Sequence, residues 1–166
     1  MAEPSDRKAE EFLGILSDRI EELLEVSRLP QENPQEINFD DYQKFRDMMG
    51  ECLSFLIIIE RRINLTGEDR RKRLLEQFDS LTVAVWSILL DGSLSFLTVI
   101  CEKEFLPLGT RHVFVQELRT LYDAEQVLKE DKYENYLMAN VVEQRDKAER
   151  ILNAIIDRAP QLLNLG

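Results

Sequence analysis

The sequence holds one histidine, two cysteines and one tryptophan in 166 residues. With His112 alone, neither a histidine-rich metal site nor a Glu-x-x-His di-iron pair can be assembled within one chain. Cys52 and Cys101 lack C-x-x-C spacing and lie on apolar stretches, so they read as buried thiols of a reducing compartment; a disulfide between them has no support. Positive charge is the scarcer sign, 21 Lys and Arg against 32 Asp and Glu for a net charge of -11, which opposes binding to phosphate backbones. Nucleic acid is a disfavoured partner. The opening residues, MAEPSDRKAEE, have no apolar run for a secretory signal and are too acidic for a transit peptide, so the cytoplasm is the expected location. GxSxG, Walker A, GxGxxG and HExxH motifs are all missing. No cofactor or metal is expected, and binding is favoured over chemistry.

What is present is helical periodicity. Hydrophobic residues make up 44% and charged residues 32% of the chain, and a domain of this size buries roughly 70% of its unfolded surface without needing a staple. Ser5 is placed to cap a first helix ending near Arg28, with Phe12, Leu13, Leu16, Ile20, Leu23 and Leu24 at helical spacing. Residues 29–39, with Pro30 and Pro34, read as a linker inside the domain. A second helix over about 40–64 carries the seam Tyr42, Phe45, Met49, Cys52, Leu56, Ile59 and Ile63. Its run Phe55 to Ile59 is apolar on every face, which predicts burial between several neighbours. The third helix is expected to open at a Thr66 cap, with Asp69 in a capping box, and to follow the stripe Leu74, Phe78, Leu81, Val85 and Ile88.

Residues 80–101 admit three readings. Asp91-Gly92 between β-branched runs is a hairpin signal, and the stretch is long enough to cross a bilayer. An aspartate near its middle costs about 2.5–3.5 kcal/mol on insertion, and the apolar residues do not alternate as a strand requires. The favoured reading is two buried helices, the first stopped by a left-handed Gly92 and the second capped by Ser93 and ending near Leu106. A fifth helix starts at Thr110, with Phe114, Leu118, Leu121 and Leu128 on one side. A sixth spans roughly 131–159, with Leu137, Val141, Ala148, Leu152 and Ile155 inward, and Pro160 ends it before the apolar tail 160–166. The expectation is an all-α, single-domain bundle of about five to six mostly antiparallel helices over residues 1–166.

Carboxylates supply one catalytic candidate. EELLE at 21–25 matches the EExxE pattern of magnesium-holding helical pyrophosphatases, and EQFD at 76–79 or EQRD at 143–146 matches ExxD. A metal-binding set must face the bundle interior. At 100° per residue Glu21, Glu22 and Glu25 fall opposite their helix's apolar stripe, as do Glu76 and Asp146 on theirs. A metal-dependent enzyme of that kind is therefore the weakest of the functional readings. His112, followed by Val113 and Phe114 at a helix start, reads as a helix-end histidine and not as a phosphoacceptor.

The basic residues are concentrated in RRINLTGEDRRKR, residues 61–73, which holds six of the 21. Lys72 can pair with Glu68 and Glu76, and Arg73 with Asp69, each for about 0.2–0.5 kcal/mol. Arg61, Arg62, Arg70 and Arg71 keep no assigned local partner and form the candidate binding set, for a phosphate-bearing small ligand or an acidic partner. The surplus of apolar surface favours a different use: a non-catalytic protein-interaction or regulatory bundle, forming a homo-oligomer or docking another protein. Membrane insertion is disfavoured.

Overall fold

The computed structural model of the chain describes residues 4–32, 39–101 and 111–163, with side chains described over 7–26, 42–97 and 112–154 and at 157. Among them the order is α1 (Pro4–Glu32), α2 (Phe39–Asn64), α3 (Glu68–Cys101), α4 (Arg111–Leu128), a 3-10 helix (Asp131–Tyr136) and α5 (Ala139–Leu163), with no strand. The chain is an all-α helical bundle. Its contacts divide it into two compact units, Met1–Ile88 and Leu89–Gly166.

In the first unit the apolar seams read from periodicity are the core. Leu13, Leu16, Ile20 and Leu23 of α1 are buried, as are Phe45, Met49, Cys52, Leu56, Ile59 and Ile63 of α2. Each fully buried leucine or isoleucine contributes about 1.5–3 kcal/mol relative to exposure, so these two stripes dominate the stability of the unit. The Phe12 and Phe55 rings meet with centroids 6.3 Å apart, and Arg19 Nη2 lies 3.9 Å from Glu51 Oε2. Contacts step backward along α2 as α1 advances, so the two helices are antiparallel. Leu74, Phe78, Val85 and Ile88 of α3 are also buried. Arg73 Nη2 reaches Glu10 Oε1 at 3.0 Å and ties the start of α3 to α1.

The second unit is built on Leu89, Leu90, Leu94 and Leu97 at the end of α3, Leu121, Ala124 and Leu128 of α4, and Val141, Ala148 and Leu152 of α5, with Tyr133 of the 3-10 helix also buried. Lys129 Nζ pairs with Glu149 Oε1 at 3.2 Å and with the buried carboxylate of Glu125. Arg145 Nη1 donates to the Leu128 carbonyl at 3.4 Å, capping the end of α4 from α5.

Several boundaries differ from expectation, each for a physical reason. Gly92 does not stop a helix: α3 is continuous over 34 residues. A helix-interior glycine costs only about 1 kcal/mol relative to alanine, less than the burial of Leu89, Leu90, Leu94 and Leu97 on either side returns. Ser93 is accordingly no cap; its hydroxyl donates to Glu117 Oε2. Helix α1 runs to Glu32 through Pro30, and α5 to Leu163 through Pro160. A proline within the last turn removes one hydrogen bond while keeping a helical φ, so neither helix ends where it was expected to. The expected sixth helix is divided into the 3-10 helix and α5, with Leu137 extended between them. Most of the linker and the last residues of the tail lie outside the described residues, as does the Cys101 side chain.

The run Phe55 to Ile59 is not buried all round. Leu56 and Ile59 are buried, whereas Ile57 and Ile58 are 56% and 45% exposed. Only the stripe centred on the Phe45-to-Ile63 seam faces the unit's interior.

Helix α3 is long and apolar enough to cross a membrane by length and composition, and 56% of its apolar window is buried inside the protein.

Candidate functional site

The end of α2 leaves carbonyl groups that no later turn of its own helix can satisfy. The turn supplies the donors. Leu65 N–H and Thr66 N–H bond the carbonyls of Arg62 and Ile63 at 3.1 and 3.0 Å, and the buried Thr66 hydroxyl also donates to the Ile63 carbonyl, at 2.6 Å. Arg71 Nη2 donates to the carbonyls of Asn64 and Thr66, at 3.1 and 2.8 Å. Thr66 thus finishes α2 and does not cap α3. The Gly67 carbonyl accepts from Arg70 N–H and Arg71 N–H and is the first acceptor of α3, so the Thr66–Asp69 capping box is not formed.

The four candidate arginines all flank this turn, Arg61 and Arg62 in the last turn of α2 and Arg70 and Arg71 in the first turn of α3. They do not share one environment. Arg61 is exposed, Arg62 and Arg70 are half-buried, and the half-buried Arg71 is drawn into the turn as a clamp. Arg71 Nε is buried and makes no hydrogen bond. Arg73, expected to pair with Asp69 on its own helix, pairs instead with Glu10 of α1. The acidic first helix offers that carboxylate from a separate element, in a solvent-exposed pair that a helical wheel of α3 alone cannot show.

A second feature of the same region is the outward face of α2. At 100° per residue, Asp47, Gly50, Ser54, Ile57, Ile58 and Arg61 fall on the side opposite the core seam, and all are exposed. Leu65, just beyond the helix, is 69% exposed. Ser54 Oγ donates back to the Gly50 carbonyl at 2.9 Å, and a Cβ built on Gly50 would meet nothing within 4 Å. The middle of the face is therefore shallow and open. Sequence reasoning missed this surface by treating Phe55 to Ile59 as one block. The wheel that placed Glu21 and Glu25 in water, applied to α2, would have placed Ile57 and Ile58 there too.

Most carboxylates of the pyrophosphatase reading face water: Glu21, Glu22, Glu25, Glu76, Glu143 and Asp146 are exposed, Asp79 is half-buried, and Glu22 is bonded to Arg19 at 3.1 Å. Among the described residues no three His, Cys, Asp or Glu side chains come together as a metal site. His112 is exposed at the start of α4. The buried acidic groups are elsewhere, on α4: Glu117, whose carboxyl is pushed up to about 8 by burial, and Glu125, held by Lys129 and by Gln126 Nε2 at 2.7 Å. At 100° per residue Glu117 falls on the apolar face of α4, between the positions of Leu121 and Ala124, so the sequence does mark it; reading that stripe for its apolar residues alone passes over it.

No protein family, curated protein or solved structure gives a match to this chain.

Proposed function

We propose that the chain is a non-catalytic protein-interaction module of the cytoplasm, a helical bundle that associates with itself. The observation carrying this reading is the outward face of α2, where Ile57 and Ile58 are exposed at 56% and 45% on the side away from the core, with Leu65, 69% exposed, just beyond the helix. Single exposed aliphatic residues are ordinary, but two adjacent ones on one helix face beside Arg61, with a third just past the helix end, offer apolar surface suited to an interface. In the second unit Val115 and Tyr122 are exposed two turns apart on one face of α4, and Met138 lies just before α5; no two of them are adjacent in the chain as Ile57 and Ile58 are.

Size-exclusion chromatography with light scattering, from submicromolar to high micromolar concentration, tests the proposal. The wild-type mass is expected to rise with concentration toward twice the chain mass. Ile57→Gln combined with Ile58→Gln is expected to hold it at the monomer while the helical circular dichroism stays unchanged. A wild-type chain that remains monomeric across the range would overturn the reading.

A further inference from the structure

The outward face of α2 changes character along its length. Asp47 lies toward its N-terminal end, Gly50 and Ser54 follow, then Ile57 and Ile58, and Arg61 closes it. Asp47 and Arg61 stand seven residues to either side of Ser54. We infer that two copies of this chain dock α2 against α2, antiparallel, about a two-fold axis at Ser54, with Arg61 of each copy against Asp47 of the other.

Three physical arguments select this arrangement, which rests on the self-association proposed above. The first is charge. A parallel pairing of the same face would set Arg61 against Arg61 and Asp47 against Asp47, whereas the antiparallel one forms two opposite-charge contacts by a single symmetry operation. In a chain of net charge -11, whose copies repel each other at long range, such local matching has the greater weight in fixing register.

Shape is the second. The two-fold brings Ile57 and Ile58 of one copy over the Gly50 region of the other, where space beyond the backbone is open. Gly50 and Ser54 at the crossing permit helix axes to approach to about 8 Å, the close end of the usual range.

The third argument is the state of the other charges nearby. Glu51 has Arg19 of its own chain 3.9 Å away, and Asp47 is held by Gln43 Nε2 at 2.9 Å, an exposed neutral donor that leaves its charge uncompensated. Asp47 is thus the carboxylate available to a cation from another copy.

The experiment combines charge reversal with cross-linking in the full chain. By light scattering, Arg61→Asp and Asp47→Arg alone are each expected to weaken dimerisation at least about tenfold, and the two together to restore it to within about threefold. Mild oxidation of Ser54→Cys is expected to give a disulfide-linked dimer well above the wild-type level, because residues on the axis of closely crossed helices fall within disulfide range. A dimer indifferent to both reversals, with no added cross-link at position 54, would overturn this register and leave self-association standing. A monomeric wild-type chain would overturn both. Circular dichroism of each variant separates loss of pairing from loss of fold.

Discussion

Ser93 Oγ donates a 2.8 Å hydrogen bond to Glu117 Oε2, joining the C-terminal half of α3 to α4, and each residue is only 1% exposed. Burial pushes the Glu117 carboxyl from 4.5 up to about 8. Between those values the folded chain keeps a proton that the unfolded chain has released, so stability falls as pH rises through that window. Glu117→Gln keeps an acceptor for Ser93 and removes the ionisation. Its Tm is expected to exceed the wild-type value by about 8–16 °C at pH 8, corresponding to on the order of 4 kcal/mol, with the gap closing toward pH 5. Thermal melts at the two pH values check this; an equal gap at both would count against a neutral buried carboxyl.

Arg71 clamps two carbonyls at the end of α2, while Arg61 is exposed on its outward face. Arg71→Met is expected to cost about 0.5–1.5 kcal/mol, the net worth of hydrogen bonds to carbonyls that are exposed or only partly buried. Arg61→Met should change stability by no more than about 0.5 kcal/mol, as surface substitutions do. Urea denaturation at submicromolar concentration, where association does not contribute, measures both.

Gly92 lies inside α3, not at a helix end. Gly92→Ala is therefore expected to stabilise the chain by about 0.5–1 kcal/mol, the difference in helix-interior propensity. At a left-handed helix stop the same change would destabilise. The sign of the shift in the denaturation midpoint distinguishes the two backbones.

Lys129 joins the buried Glu125 to the exposed Glu149, and these carboxylates hold its own ionisation above the ordinary lysine range. Lys129→Met leaves the Glu125 carboxylate with Gln126 as its remaining donor and is expected to cost on the order of 1–3 kcal/mol. Arg19→Met, whose partners Glu22 and Glu51 are both exposed, should cost far less. Chemical denaturation of the two variants side by side gives the comparison.

The parts of this structure legible in the sequence are those set by period. Six of the seven α2 seam residues are buried, and four of the five on the early α3 stripe, because 3.6-residue spacing and burial are one geometric fact. Punctuation was less legible. Gly92, Pro30 and Pro160 each carry a local penalty of limited size, and whether it ends a helix depends on the apolar contacts beyond it, which a local reading does not weigh. Pairings between helices were least legible of all: Arg73 with Glu10 and Ser93 with Glu117 join residues 63 and 24 positions apart. That Arg61, Arg62, Arg70 and Arg71 flank one turn was legible, but their different environments, with Arg71 turned toward backbone and Arg61 exposed, come from the geometry of the three-residue turn.

That turn also bears on the order in which the first unit can assemble. The Arg71 contacts close segments of seven and five residues, and the Thr66 hydroxyl bond one of three, whereas the Arg73–Glu10 pair closes one of 63. Loop-closure entropy makes the longest of these about 2 kcal/mol more costly than the seven-residue one. The α2–α3 elbow is thus the least expensive part of the unit to form in isolation, and α1 meets a corner whose angle the chain has already chosen.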